Sequence, residues 1–189
     1  MINLFSLFFI LLLTGCMNAA VTGAQAVYNR HSLKTTLNDH YTNLRATQAI
    51  YLKSNQFDDT HVSVVCFNGV ILLTGQVPSA AERFAIERAV RNVAQDNPVE
   101  LHNQIAISSP SSALTRMSDS WITTKITAQL IASDDVDPSQ IKVVTENGTV
   151  FLMGIVPHDQ GDAAIEIARS TEGVQEVVKM FSWVHISKS

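Results

Sequence analysis

Cysteine is scarce in this chain, which has only Cys16 and Cys66 among its 189 residues. A disulfide framework is therefore excluded, and neither cysteine has a neighbouring cysteine of the kind that zinc sites use. The six histidines contain no pair at the H-x-x-x-H spacing of a helical zinc site. The sequence also lacks a G-x-S-x-G elbow, a P-loop and a G-x-G-x-x-G fingerprint. We therefore expect neither catalysis nor a metal or other cofactor.

Basic residues are also few, since the chain has 13 Lys and Arg residues and 17 Asp and Glu residues, for a net charge of −4. A nucleic-acid-binding protein normally carries a basic face, so that class is excluded. The deficit lies in the second half: residues 16–118 carry a net +1, whereas residues 119–189 carry −5. Any partner of the second half must tolerate an acidic surface.

A hydrophobic run long enough to cross a bilayer is missing from the sequence. The longest run, Leu4 to Leu13, is apolar except for Ser6, whereas a spanning helix needs about 20 residues. No charged side chain occurs from Met1 to Gly15. This pattern predicts a secretory signal peptide over residues 1–15, followed by a small and polar tether over residues 16–38.

The apolar run ends in Leu13-Thr14-Gly15-Cys16. This stretch resembles the lipobox of bacterial lipoproteins, in which the signal is cut before the cysteine. The resemblance implies a diacylglyceryl group on the Cys16 thiol and acylation of its amine, and acyl chains of this kind hold a protein on a membrane. Met17 stands where an Asp commonly marks inner-membrane retention, so export to the outer membrane is implied. The alternative is an ordinary signal peptide followed by an incidental cysteine.

An internal repeat organises the rest of the chain. Residues 68–78, NGVILLTGQVP, match residues 147–157, NGTVFLMGIVP, at an offset of 79 positions. Two copies at this distance predict two small domains, over residues 39–107 and 118–189, with a Ser-rich linker over residues 108–117.

Each copy has the same predicted order of elements, α-β-β-α-β. A helix over 39–54 or 118–133 precedes two strands joined by Asn-Gly, a strong signal for a type I′ hairpin. The strands are predicted at 61–67 and 70–76, and at 140–146 and 149–155, with Gly75 and Gly154 breaking the second strand of each pair. A second helix, over 79–95 or 158–172, leads to a last strand at 99–107 or 176–186. The expected class is α+β, with two helices on one face of a three-stranded mixed sheet.

Some side chains can be assigned to the core at this level. Cys66 lies in a strand-like run and is expected to be a small buried hydrophobe. Phe84, Ile86 and Val90 are expected in the core of the first copy. The apolar residues of its first helix, Tyr41, Leu44 and Tyr51, are expected to be core and rim residues, with a structural or protein-contact role.

The Asn-Gly hairpin, the LTG and LMG strand ends and the following helix resemble the BON domain. Copy two adds Gly173-Val174-Gln175-Glu176-Val177, which is similar to the entry into that family's last strand, whereas copy one lacks this glycine. Together with the lipobox, the chain resembles the dual BON-domain lipoproteins of the outer membrane. The resemblance implies a non-enzymatic module that is associated with anionic phospholipid and with envelope integrity.

The first helix of copy two carries the predicted site. Ile122, Ile126 and Leu130 recur every four residues and predict a buried stripe, and Trp121 falls outside it. An outward Trp suits a membrane interface, because its ring is apolar while its N–H can stay hydrated. One hypothesis therefore assigns phospholipid contact to four residues, namely Trp121, Lys125, Ile131 and Val136.

Two functions remain open at this point. The first is a lipid-anchored outer-membrane protein that faces the periplasm, binds anionic phospholipid through its second domain and supports envelope integrity. The second is a lipid-anchored scaffold for an envelope protein or a cell-wall partner, with Trp121 at a domain interface. Three carboxylates, Asp134, Asp135 and Asp137, oppose the first function because anionic headgroups repel them. They lack the glycine and glutamate of an EF-hand loop, so a solvated turn is expected there.

Overall fold

A computed structural model describes residues 23–54, 60–94 and 100–184 of the chain. The predicted signal peptide and Cys16 lie outside these residues. The chain divides into two compact units, Met1–Lys34 and Thr35–Ser189, and both repeats belong to the second unit. Within the described ranges, no helix is both long and apolar enough to cross a bilayer.

Both repeats have the predicted order of elements. In the first repeat these are α1 (Gly23–Ser54), β1 (His61–Phe67), β2 (Val70–Val77), α2 (Ala80–Val93), β3 (Glu100–Asn103) and β4 (Ala106–Ile107). In the second they are α3 (Ala113–Ala132), a 3-10 turn (Pro138–Gln140), β5 (Ile141–Glu146), β6 (Thr149–Val156), α4 (His158–Ser170) and β7 (Glu176–Trp183). The α+β class and the α-β-β-α-β units are confirmed.

Two helices begin earlier than predicted. α1 starts at Gly23, within the predicted tether, and α3 starts at Ala113, within the predicted linker. The reason is clear for α3, because the Ser112 hydroxyl accepts a hydrogen bond from the Thr115 amide and caps the helix. The serines that predicted a linker therefore include Ser112, the N-cap residue of α3.

The Asn-Gly dipeptides form the predicted hairpin turns. Asn68 and Gly69 have φ angles of 51° and 76°, and Asn147 and Gly148 have 54° and 77°. A type I′ turn needs positive φ at both central residues, which Asn tolerates and Gly adopts without steric cost. The strands on either side pair antiparallel, as β1 with β2 and β5 with β6.

The last strand of each repeat returns parallel to the second strand. The sheet orders are β1-β2-β3 and β5-β6-β7, so both sheets are mixed, as predicted. In the first sheet the returning strand is split, and β4 continues along β2 after β3 ends. At the break, the Asn103 side chain accepts a hydrogen bond from the Ile105 amide at 3.1 Å.

Gly75 and Gly154 lie inside β2 and β6, so the prediction that they break these strands is wrong. Each glycine instead allows the neighbouring strand to approach closely. A Cβ atom at Gly75 would collide with the His61 carbonyl oxygen, and one at Gly154 would collide with that of Gln140.

The helices of each repeat cover one face of its sheet. In the second repeat, Ile122, Ile126 and Leu130 of α3 are buried against Leu152 of β6 and Ala164 of α4, which confirms the predicted stripe. The first repeat has an equivalent core that contains Ile50, Leu73, Ile86 and Val90.

Several aromatic and aliphatic residues expected in the first core are exposed instead. Phe84 is 64% exposed, because it lies two residues before buried Ile86 and therefore points to the other side of α2. Tyr41, Leu44 and Tyr51 are also exposed. The buried positions of α1 are occupied by smaller residues, including Thr42 and Ala46.

The two sheets pack together through the faces that the helices leave uncovered. Leu72 of β2 forms one buried cluster with Phe151 and Met153 of β6. A hydrogen bond of 2.7 Å from the Gln76 side-chain amide to the Glu146 carboxylate also joins the two repeats. β2 and β6 are therefore buried on both faces, which explains why their sequences are almost continuously apolar.

Candidate functional site

The exposed side of α3 carries a row of large apolar side chains. Leu114, Met117 and Trp121 are all exposed, and Trp121 has 51% of its surface accessible. Their spacing of three and four residues places them on one side of the helix, opposite the buried stripe. We call Leu114, Met117, Trp121 and Lys125 the α3 surface.

Lys125 completes this surface one turn after the tryptophan. Its Nζ atom lies 4.6 Å from the centroid of the Trp121 ring. This distance permits a cation–π interaction, in which the negative face of the ring attracts the ammonium group. The structure therefore brings Trp121 and Lys125 together, as the prediction requires, with an apolar ring beside a positive charge.

Two other predicted residues lie elsewhere. Ile131 is exposed near the end of α3, about 15 Å along the helix axis from Trp121, since each residue adds 1.5 Å. Val136 is only 6% exposed and packs in the core of the second repeat. The assignment of Val136 to a lipid-contacting surface is corrected accordingly, because a buried side chain is not available to a membrane.

Sequence reasoning missed Leu114 and Met117 because it began the helix at residue 118. A signal for them was present in the Ser112 cap and in the helical spacing of Leu114, Met117 and Trp121. Once the helix is extended to Ala113, the outward tryptophan becomes the last member of an apolar row.

A buried carboxylate fixes α3 against the sheet. Asp119 accepts hydrogen bonds from the backbone N–H groups of Asn147, at 2.8 Å, and Gly148, at 2.9 Å. Among the residues that the structure describes, Asp119 is the only charged residue that is buried. By binding both amides of the hairpin turn, it sets the position of α3 and hence the direction in which Trp121 points.

The first repeat contains the same arrangement of an aspartate and a hairpin turn. Asp39 of α1 accepts hydrogen bonds from the amides of Asn68, at 2.6 Å, and Gly69, at 2.9 Å. It also faces the Cys66 thiol, whose sulfur lies 3.4 Å from an Asp39 carboxylate oxygen. Burial, followed by the negative charge of Asp39, raises the pKa of Cys66 to about 12, so the thiol stays protonated. A protonated and half-buried thiol is a poor nucleophile.

A cleft with a volume of about 480 Å³ lies between β1 and the elements α3 and β5. Its two carboxylates are already engaged, since Asp119 holds the hairpin turn and Glu146 accepts the bond from Gln76. Over residues 23–54, 60–94 and 100–184, no group of three or more His, Cys, Asp or Glu side chains is arranged to hold a metal ion.

Comparison with known proteins identifies the repeats. The model of the BON domain family matches residues 45–109 and 118–184. Among curated proteins, the chain is 32% identical over 155 residues to the "21 kDa hemolysin" of Actinobacillus pleuropneumoniae, covering 81% of this chain and 78% of that protein. It is 29% identical over 176 residues to the "Outer membrane lipoprotein DolP" of Haemophilus influenzae, covering 91% of this chain and 90% of that protein.

A more distant relative is the "Osmotically-inducible protein Y" of Escherichia coli, which is 28% identical over 131 residues and matches 69% of this chain and 65% of that protein. A solved C-terminal domain of CdsD, a structural protein of the type III secretion system of Chlamydia trachomatis, matches at 12% identity, covering 73% of this chain and 96% of that domain with a TM-score of 0.32. A TM-score this low does not establish a shared fold. The two family matches and the similarity to DolP agree with the paired α-β-β-α-β units, and the chain therefore belongs to the BON-domain family, as a dual BON-domain protein of the DolP type.

Proposed function

We propose that the second BON domain binds anionic phospholipid at a membrane through the α3 surface. In this proposal the chain is held by acyl groups on Cys16 at the outer membrane, faces the periplasm and supports envelope integrity without catalysing a reaction. The observation that carries the proposal is the row Leu114, Met117 and Trp121, exposed on a helix with a lysine ammonium over the indole ring. An apolar row beside a positive charge suits a bilayer interface, where lipid tails and phosphates lie within a few ångströms of each other.

The charge of the second half does not oppose this contact at the α3 surface. α3 contains only three charged residues, Arg116, Asp119 and Lys125, and Asp119 is buried beneath the hairpin turn. The acidic loop that begins at Asp134 lies about 20 Å from Trp121 along the helix, from a rise of 1.5 Å per residue. Because the Debye length in physiological salt is about 8 Å, these carboxylates are largely screened from lipid at the α3 surface.

The location is supported by the relative that carries the name of an outer-membrane lipoprotein and matches 91% of this chain. An acyl anchor at Cys16 would hold the domain near the bilayer at a high effective concentration. A weak contact through α3 is then sufficient, because the second binding event is intramolecular.

The other candidate is a scaffold in which the same surface binds an envelope protein or a cell-wall partner. A vesicle experiment separates the two functions. The chain from residue 17 onward retains every described element but carries no acyl group, so its binding reports the domains alone. Its sedimentation is measured with vesicles of phosphatidylglycerol and phosphatidylcholine, and with vesicles of phosphatidylcholine only.

We expect binding to the anionic vesicles that Trp121→Ala weakens. An aromatic side chain buries about 150–250 Å², so the exposed half of Trp121 offers about 100 Å² to the membrane. At about 25 cal/mol per Å², the loss is at most about 2.5 kcal/mol, or roughly 60-fold in affinity. Phe84→Ala is the matched control, because Phe84 is an exposed aromatic with Arg88 over its ring but lies on α2. If the chain stays in the supernatant at low salt, or if both variants bind alike, lipid binding by α3 is rejected and the scaffold function is favoured.

A further inference from the structure

α1 and α3 occupy equivalent positions in the two repeats, but their residues correspond at a different sequence offset from that of the hairpins. The hairpins match at an offset of 79, but the aspartates that hold them, Asp39 and Asp119, match at an offset of 80. The connection from helix to hairpin is therefore one residue longer in the first repeat. An alignment at the hairpin offset pairs the wrong residues of the two helices.

At the offset of 80, the buried residues of one helix correspond to the buried residues of the other. The buried residues Ile122, Ile126 and Leu130 of α3 correspond to the buried residues Thr42, Ala46 and Ile50 of α1. Both helices therefore lie on their sheets with the same rotation about the helix axis. It follows that their exposed sides are also equivalent, residue by residue.

The exposed sides carry the same chemistry. Tyr41, which is 59% exposed, corresponds to Trp121, and Arg45 corresponds to Lys125. The Arg45 guanidinium carbon lies 5.6 Å from the centroid of the Tyr41 ring, as the Lys125 ammonium lies over the indole. Exposed Leu37 also corresponds to Met117, and exposed Tyr51 to Ile131. Two positions differ, since Leu114 corresponds to Lys34, and Leu44 to Thr124.

We propose that α1 forms a second lipid-contacting surface, made of Leu37, Tyr41, Leu44 and Arg45, which binds anionic phospholipid in a bilayer. We call it the α1 surface. The choice of lipid rests on the function proposed above for α3, whereas the surface itself rests on the equivalence of the two helices. Because α1 and α3 cover opposite outer sides of the two packed sheets, each domain then has a lipid-contacting side of its own.

Charge and chain position both favour a membrane as the partner of α1. Over Gly23–Ser54 the sequence has four basic residues and one acidic residue, and that residue, Asp39, is bound to the hairpin turn. α1 begins at Gly23, seven positions after Cys16. Seven residues span at most about 25 Å, so an acyl anchor at Cys16 keeps the start of α1 close to the bilayer. Tyrosine is also enriched at bilayer interfaces.

A second copy of the chain is a less suitable partner for this surface. A coiled-coil seam needs apolar residues at both core positions of each heptad. In α1, Leu37, Leu44 and Tyr51 follow one of these positions, but the other is occupied by polar His40 and Thr47. The row therefore lacks half of a seam, while a bilayer interface accepts histidine and threonine beside apolar residues.

The test uses the chain from residue 17 onward with vesicles containing phosphatidylglycerol. The α1 variant combines Tyr41→Ser with Arg45→Ala, the α3 variant is Trp121→Ala, and the control combines Phe84→Ser with Arg88→Ala. Since a basic residue near an anionic surface contributes about fivefold in affinity, we expect the α1 variant to bind at least fivefold more weakly than the control. The chain with both surfaces altered is expected to bind more weakly than either variant, and circular dichroism checks that each variant is folded.

A fluorescent probe gives an independent readout. Tyr41→Trp is introduced in a chain with Trp121→Phe and Trp183→Phe, so that the only indole is on α1. We expect its emission to shift to shorter wavelength when anionic vesicles are added, whereas Phe84→Trp in the same background does not shift.

The outcomes separate this proposal from the one for α3. If the α1 variant binds like the control while Trp121→Ala weakens binding, α1 does not contact lipid and the function proposed for α3 stands. If the α1 variant weakens binding and Trp121→Ala does not, the α1 surface stands and the function proposed for α3 falls. If sedimentation reveals a dimer that the α1 variant dissociates, the partner of α1 is a second copy and the proposal is overturned.

Discussion

Asp119 is predicted to be the residue that holds α3, and with it Trp121, in position. In the Asp119→Ala variant, the amides of Asn147 and Gly148 lose their shared acceptor. Gly148 is buried, so water cannot replace the carboxylate at its N–H, whereas Asn147 is exposed and can be hydrated in part. The variant therefore leaves one buried donor without a partner.

The expected cost follows from these two bonds. A hydrogen bond to a charged group contributes about 1.5–3 kcal/mol, and an unsatisfied buried donor costs a similar amount. With one bond lost in full and the other in part, we expect the free energy of unfolding to fall by about 3 kcal/mol. For a chain of 189 residues, this corresponds to a decrease in melting temperature of about 6–12 °C. Asp119→Asn keeps one acceptor oxygen, so its melting temperature is expected to lie between those of the unaltered chain and Asp119→Ala.

Thermal and urea unfolding of the chain from residue 17 onward, followed by circular dichroism, measure this effect. The control is Asp135→Ala, which removes the same charge from an exposed loop and is expected to change stability by less than about 0.5 kcal/mol. The reasoning is refuted if Asp119→Ala and Asp135→Ala melt at the same temperature, since the carboxylate would then contribute nothing at the turn.

Two further predictions concern the thiol and the contact between the sheets. Because burial raises the pKa of Cys66 to about 12 from an ordinary value of 9.0, the folded chain at pH 8 should react with a thiol reagent far more slowly than the chain in urea; equal rates would contradict this. The stability that this shift contributes is complete below about pH 9 and is lost as the pH rises towards 12, so Cys66→Ala should remove this part of the alkaline loss. Met153→Asp places a carboxylate between the two sheets, where burying a charge is costly, so the sheets should separate. Urea unfolding should then show two transitions, and the radius of gyration should rise. The control is Ile155→Asp, at an exposed position of the same strand, which should have neither effect.

The sequence alone determined the features that depend on local chemistry. The Asn-Gly turns were predictable because few residue pairs tolerate positive φ at two successive positions. The buried stripe of α3 was predictable because Ile122, Ile126 and Leu130 repeat at the helical period. The repeat then fixed the order of elements in both domains, and the need to return the last strand beside the hairpin indicated a mixed sheet.

The tertiary structure alone decided which apolar side chains face water. Phe84 and Tyr41 are apolar rings, yet both are exposed because other residues set the rotation of each helix on its sheet. On α2 these are buried Ile86 and Val90, and on α1 they are Asp39 and the smaller residues that pack beneath the helix. Val136 lies in an acidic loop and is nevertheless buried, because that loop folds back over the core. Burial depends on contacts between residues far apart in the chain, and a local pattern does not encode them.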